Sequence, residues 1–314
     1  MAKDPVLGAY STVGIGIEHI EGTPVAADLW FDITADGSSS ETTLLETEGL
    51  GACVSGVMSR EDQAAAAVPA KEDNRVGFSF QPRFNHLARI LGLTLGGQRA
   101  GLTYEPGATP ASFTQESDKV AEFSSGKSVE QYAGGKVTKL TIKSEANKAL
   151  VMTIEGVGRT CTVIAGTAPD YSAWASKSPM MHHGLSIQAG PSEIPVGQVF
   201  DIEVEIATGV AEDHFANSLS RICAEPGPLT VTGTLTVPFN DETAPMRTKI
   251  KAGTRFDLRC RWAGDGAETF DLYLSLKALG DIPKITTRDG QKLPLKFKGF
   301  QSGGTHAIKG VLGS

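Results

Sequence analysis

Residues 229–239 read Leu229-Thr-Val-Thr-Gly-Thr-Leu-Thr-Val-Pro-Phe239. The period is two. Leu229, Val231, Leu235, Val237 and Phe239 fall on one side, and Thr230, Thr232, Thr234 and Thr236 form a ladder on the other. An extended strand with one buried and one wet face produces that alternation. Three more stretches repeat it. Phe200-Asp-Ile-Glu-Val-Glu-Ile206 sets Phe200, Ile202, Val204 and Ile206 against Asp201, Glu203 and Glu205. Arg255-Phe-Asp-Leu-Arg-Cys-Arg-Trp262 turns Phe256, Leu258, Cys260 and Trp262 inward, and Phe270-Asp-Leu-Tyr-Leu-Ser-Leu276 continues the pattern. Strands of this kind with turn residues between them predict an antiparallel sheet folded into a sandwich or barrel.

The glycine and proline of the opening stretch have counterparts half a chain earlier. Gly77 and Pro82, followed by Phe84-Asn85, match Gly233 and Pro238, followed by Phe239-Asn240; 233 − 77 and 238 − 82 are both 156, in a chain of 314 residues. Phe31-Asp-Ile33 and Phe200-Asp-Ile202 keep the same order. The first half supplies strand candidates at 27–34, 76–81, 112–116, 136–143 and 150–155, and a helix at 85–91 with Asn85 as N-cap and Gly92 past its end. A second helical turn is expected at 241–250, weakened by Pro245. The predicted fold is therefore mainly β, with two tandem antiparallel β-sandwich or barrel domains, each with a short helix. The first spans 1–158 and carries an inserted loop at 55–75. Residues 159–183 read as a linker, and the second domain spans 184–314. One conflict stands: with the glycines aligned, Phe78 and Phe80 meet Thr234 and Thr236, which face the other way. The tail from Gln301 to Ser314 reads as frayed or docked on a neighbour.

Composition narrows the function. A net charge of −7 argues against a nucleic-acid clamp, which needs a basic face. Cys53, Cys161, Cys223 and Cys260 are scattered without a CxxC pair, so four reduced thiols are expected and no zinc site. The N-terminus shows no apolar signal segment, and no apolar run approaches the roughly 18 residues of a membrane span.

No stretch carries catalytic chemistry. Asp201, Glu203 and Glu205 share one strand face, yet lack the contrasting environments that split an acid from a base. His182 and His183 are adjacent on an extended stretch and point apart, and His86 reads as a surface residue of a capping turn. Gly14-Ile-Gly16 lacks a third glycine, and there is no P-loop lysine or nucleophile elbow. No catalytic residue, cofactor site or metal site is expected.

The order of features resembles the tail tube proteins of long-tailed bacteriophages. The resemblance rests on the N-terminal section 14–22 ending in Gly22-Thr-Pro-Val25, the strand before Pro82, and the helix 86–91 closed by Leu91-Gly92. To these are added Ala111-Ser-Phe-Thr-Gln-Glu116, Tyr132-Ala-Gly-Gly-Lys-Val-Thr-Lys-Leu-Thr-Ile142 and Thr232-Gly-Thr-Leu-Thr236. It implies a structural virion protein, made in the host cytoplasm and placed in the virion tail. Such proteins self-assemble into stacked rings that form a hollow tube for DNA ejection. Single-domain members close rings of six, so two domains per chain imply a trimeric, pseudo-hexameric ring. The implied partners are ring neighbours, stacked rings, the tape measure protein and tail terminator or distal tail proteins. Genomic DNA would pass through the lumen without specific binding, and no membrane is involved. The lumen-facing candidates are Asp201, Glu203 and Glu205, with Thr230, Thr232, Thr234 and Thr236 as second choice. Arg255, Arg259 and Arg261 are placed on the outer face or between subunits. The competing reading is a β-sandwich decoration or receptor-binding module, which would need an exposed aromatic cluster; Trp30, Trp174 and Trp262 lie far apart in the sequence, and two look buried.

Overall fold

The computed structural model describes residues 12–45, 68–96, 98–99, 101–107, 109–117, 128–166, 169–172, 175–189, 192–194, 199–212, 215, 218–221, 225–238, 244–279, 292–301 and 306–313. It is mainly β. The first half contains β1 (Thr12–Ile17), β2 (Leu29–Asp36), β3 (Ser39–Leu45), β4 (Val68–Phe80), helix α1 (Phe84–Leu95), β5 (Gln98–Arg99), β6 (Thr103–Tyr104), β7 (Phe113–Ser117), β8 (Ser128–Glu145), β9 (Val151–Gly158) and β10 (Thr160–Ala165). The second contains β11 (Leu185–Ala189), β12 (Ser192–Ile194), β13 (Asp201–Ala207), β14 (Thr230–Pro238), helix α2 (Ala244–Lys251), β15 (Phe256–Ala263), β16 (Thr269–Ala278), β17 (Lys292–Gly299) and β18 (Ile308–Gly313).

Six strands of the first half close on themselves. β1 pairs with β2, β2 with β4, β4 with β9, β9 with β8, β8 with β7 and β7 with β1, all antiparallel. Closure requires strands that serve two sheets, and β2 and β8 do so. β8 pairs with β7 and β10 along its first part and with β9 and β13 along its second. The register slips between Val137 and Lys139, and Gly134 takes a left-handed φ of 68° just before. A bulge and a glycine are how a strand bends through such a corner. Phe31, Phe78 and Phe80 fill the barrel with centroid distances of 4.9–5.4 Å.

The second half repeats the pairing scheme. β1–β7, β7–β8, β8–β9, β8–β10, β4–β9 and β2–β4 recur as β11–β15, β15–β16, β16–β17, β16–β18, β14–β17 and β13–β14. The helices end in step too, since 251 − 95 is again 156. Their cores are nevertheless one. β8 and β13 pair over seven residues, Glu145↔Asp201 through Lys139↔Ala207, and a single cluster of buried side chains runs through both halves.

The parity conflict resolves as a one-residue slip. The inward residues are Phe78 and Phe80 in β4 and Leu235 and Val237 in β14, 157 apart rather than 156. The repeated glycines keep their own offset because neighbouring backbone crowds them. A Cβ at Gly77 would lie 2.7 Å from the Ile154 carbonyl oxygen, and one at Gly233 only 2.3 Å from that of Glu203.

Several expectations need correction. α1 starts at Phe84 with Arg83 as N-cap, and Asn85 lies inside it; Pro82 holds the preceding backbone extended, so the helix begins immediately after. The helix runs through Gly92 and is capped by Gly96. His86 is buried, not a surface residue: its ring lies 4.6 Å from Phe31 and 5.8 Å from Phe80. Phe200 precedes β13 and is 36% exposed, with Lys292 Nζ 4.4 Å above its ring, so it is not the inward residue expected, although Ile202, like Ile33, does pack against the core. Part of the supposed loop at 55–75 is strand: residues 68–75 belong to β4 and pair with β3. Part of the supposed linker is strand β10. The tail is β18, docked within the chain between β16 and β6. The loop segment 55–67, Trp174, Cys53, Cys223, Phe239, Asn240 and residues 241–243 of the expected second helix lie outside the described residues. Pro245 falls in the first turn of α2, where its missing N–H costs nothing.

Candidate functional site

Two surfaces could act on other molecules: the wet face of the long sheet and its open edges. The wet face is built by alternation. In β13 the side chains of Ile202, Val204 and Ile206 are buried, while Asp201, Glu203 and Glu205 stand on the other side. In β14, Val231, Leu235 and Val237 are buried and the four threonines stand out. Register places these residues side by side. Glu205 lies opposite Thr232, Glu203 opposite Thr234, and Asp201 opposite Thr236. The acidic and threonine candidates therefore share one surface.

That surface is not an acidic stripe. On one flank β8 sets Lys143 opposite Glu203 and Thr141 opposite Glu205, with Lys139 one step further on. On the other, β17 sets Lys298 opposite Thr232 and Lys296 opposite Thr234. Lys143 Nζ lies 2.7 Å from Glu145 Oε1, and Lys139 Nζ lies 2.6 Å from Glu155 Oε1. Bonds from Lys143 and Lys148 pull the Glu145 carboxyl down to about 2. The Lys143 ammonium is pushed up by Glu145 first, with Glu203 and Asp201 adding to it, and that of Lys139 by Glu155 first, then Glu205 and Glu212. Opposite charges in neighbouring strands leave a face that is polar and of mixed charge. The lysines escaped the sequence reading because alternation shows which way a residue faces, not which strand lies beside it.

Arg259 and Arg261 each grip the buried Asp271 with two bonds of 2.8–3.1 Å on the face of β15 and β16, and Arg255 lies 5.5 Å from the Phe300 ring.

Nothing described has the form of a reaction centre. His182 does meet a serine: Ser144 Oγ lies 2.9 Å from Nδ1, and Nε2 lies 2.8 Å from the Val199 carbonyl oxygen. A carbonyl only accepts, so Nε2 carries the proton and Nδ1 accepts from Ser144, which in turn accepts from Trp262 Nε1 at 3.3 Å. All three residues are buried, so the chain ties the two halves together. His183 is exposed beside it. Among the described residues no group of three His, Cys, Asp or Glu could hold a metal ion. Cys161 and Cys260 are free thiols. Trp30 and Trp262 are buried, so neither offers an exposed aromatic platform.

The open edges follow from the pairing scheme. β13 is β2's counterpart, and its outer edge is taken by β8. Among the described residues no strand takes the matching edge of β2 at 33–36, nor the edge of β3 away from β4. Among the described residues β3 pairs with β4 alone, so the two form a hairpin arm continuing from the part of β4 that pairs with β9, and its base is clamped by the segment between β13 and β14. Arg221, 1% exposed, bonds Asp73 Oδ1 at 2.9 Å, the Gly158 carbonyl at 2.8 Å and the Glu212 carbonyl at 2.7 Å. The Glu72 amide donates to the Leu219 carbonyl at 2.8 Å.

No curated protein sequence matches this chain. The model of the family described as phage tail tube protein matches residues 8–299, nearly the whole length, and the chain belongs to that family of structural proteins of the virion tail.

Proposed function

We propose that the chain closes head to tail into rings of three, each a pseudo-hexamer, and that the rings stack into the hollow tube through which DNA is ejected. The observation that carries this reading is the β8–β13 ladder. It joins two halves with the same pairing scheme, and the counterpart edge on β2 has no partner among the described residues. The strand of another copy that could take that edge is β16, the counterpart of β8 in its second half. The contact is heterologous, and a heterologous contact that closes makes a ring. Six repeated units then come from three chains. In this reading the chain divides into 1–158 and 184–314, with 159–183 between them. Closure would also satisfy an edge that otherwise invites aggregation.

The same reading turns the wet face of β8, β13 and β14 toward the lumen, with Asp201, Glu203, Glu205, Thr230, Thr232, Thr234 and Thr236 on the wall. Interleaved lysines and carboxylates cancel at distances beyond the roughly 8 Å screening length, so a duplex meets no steady attraction. The partners are ring neighbours, the next ring, the tape measure protein within, and terminator or distal tail proteins at the ends. Assembly would occur in the host cytoplasm. The test is the symmetry of averaged tube images together with the mass of the smallest ring. Three chains per ring is the expected result, and six would overturn it. Persistent monomers at high concentration would favour a decoration or receptor-binding module instead.

A further inference from the structure

The internal duplication also identifies a seat for a helix. Within the chain, α1 of the first half reaches across to β16 and β18 of the second. Leu91 lies so close over Gly310 that a Cβ there would meet its Cδ1 at 2.9 Å. Beneath α1 the inward row of β18, Ile308, Gly310 and Leu312, is buried. The matching row of the first half is on β10, since β10 pairs with β8 as β18 pairs with β16. Along that row Cys161 is half-buried, and Val163 is 69% exposed. An apolar side chain is bare where its counterpart strand is covered by a helix.

The polarity of each helix matches its seat. α1 buries Leu87, Ile90, Leu91 and Leu95, with Leu91 set against Gly310 of a second half whose inward row on β16 is Phe270, Leu272 and Leu274. α2 carries Arg247, Lys249 and Lys251 and no acid. Opposite Val163 on β8 stands Glu130, not a phenylalanine or leucine. The helices end 156 residues apart, and counted back from those ends Arg247 stands at the position of Leu91 (247 − 91 = 156).

We propose that the face of β8 and β10 bearing Glu130, Cys161 and Val163 seats helix α2 of a second copy of this chain. The inference rests on the ring reading and adds the outer half of the ring contact, away from the open edge of β2. It is tested with the double variant Val163→Cys, Arg247→Cys, assembled into tubes and treated with a short bis-maleimide. The expected result is a covalent link between copies, with the joined 163 and 247 peptides found by mass spectrometry. Val163→Lys, which adds like charge under α2, should raise the concentration needed for tube growth about tenfold. Val163→Glu should leave it nearly unchanged, since the basic helix tolerates an added carboxylate. Circular dichroism checks that each variant folds. Normal tubes that give no 163–247 link, or that respond alike to Lys and Glu, overturn the seat and leave the ring standing. Wild-type protein that never forms rings removes both.

Discussion

Replacing Arg221 by methionine, which keeps most of its volume, should free the arm without unfolding the barrel. The guanidinium is fully buried and binds one carboxylate and the carbonyls of Glu212, Gly158 and Asn74, the last at 3.3 Å. Removing one member of a buried charged pair costs roughly 3–5 kcal/mol. The lower end applies here, because Asp73 is partly exposed and keeps Arg75 at 3.1 Å. A loss of about 3 kcal/mol raises the opening equilibrium about a hundredfold. The bonds lost hold the segment around 212–221 to the base of β4, so the opening is local. Native-state hydrogen exchange at the Glu72 amide, which donates to Leu219, should accelerate by that factor. Amides of the β8–β9 ladder should keep their rates. Unchanged exchange at Glu72, or equal acceleration in both places, would refute the clasp.

Three further outcomes are expected. Burial, helped by the nearby Arg83 charge, depresses the His86 pKa to about 3 from 6.5. The unfolded chain binds that proton more readily, so the stability this imidazole confers is complete above pH 6.5 and falls as pH drops toward 3. Between pH 7 and 4 the loss should be about 3 kcal/mol in urea unfolding, and His86→Phe should flatten the slope; identical slopes would reject the assignment. Gly233→Ala should cost about 2 kcal/mol or more, because its Cβ meets the Glu203 carbonyl at 2.3 Å and Phe297 Cζ at 2.5 Å. Gly253→Ala has open space around it and only a left-handed φ of 61° against it, so about 1 kcal/mol is expected, and equal midpoint shifts would contradict the crowding argument. Reversing Asp201, Glu203 and Glu205 together to lysine should slow DNA ejection from assembled virions in a salt-dependent way; unchanged kinetics would remove these residues from the lumen wall.

What the sequence made legible follows from what each residue must satisfy locally. Gly77 and Gly233 are each crowded by a neighbouring strand's carbonyl, and Pro82 and Pro238 lie at the ends of matching strands, so these four positions point to the duplication, one residue out of register with the inward rows. Phe31 and Phe200 satisfy different demands, one filling a barrel and the other lying under a lysine on the surface. Their likeness therefore points to the right strands and the right faces, but not to the exposure of Phe200 at the start of its strand. His86 was misread because a helix N-terminus is usually wet, whereas here two phenylalanines from β2 and β4 close over it. Arg221 gave no local signal at all, since the carbonyls and carboxylate that make its burial tolerable come from Asp73, Asn74 and Gly158, far away in sequence.

The charge of the wet face shows the same limit most sharply. Asp-x-Glu-x-Glu in β13 states that three carboxylates share one side, and the structure agrees. An isolated strand with that pattern would repel DNA and would also repel itself. The fold places β8 beside it, whose own alternation turns Lys139, Thr141 and Lys143 to the same side. β8 reaches β13 because it is long enough to close one barrel with its first part and begin the next sheet with its second. The strand that joins the two halves is thus also the strand that neutralises the acids. If rings close as proposed, the corresponding strand of each second half, β16, meets β2 of the next copy.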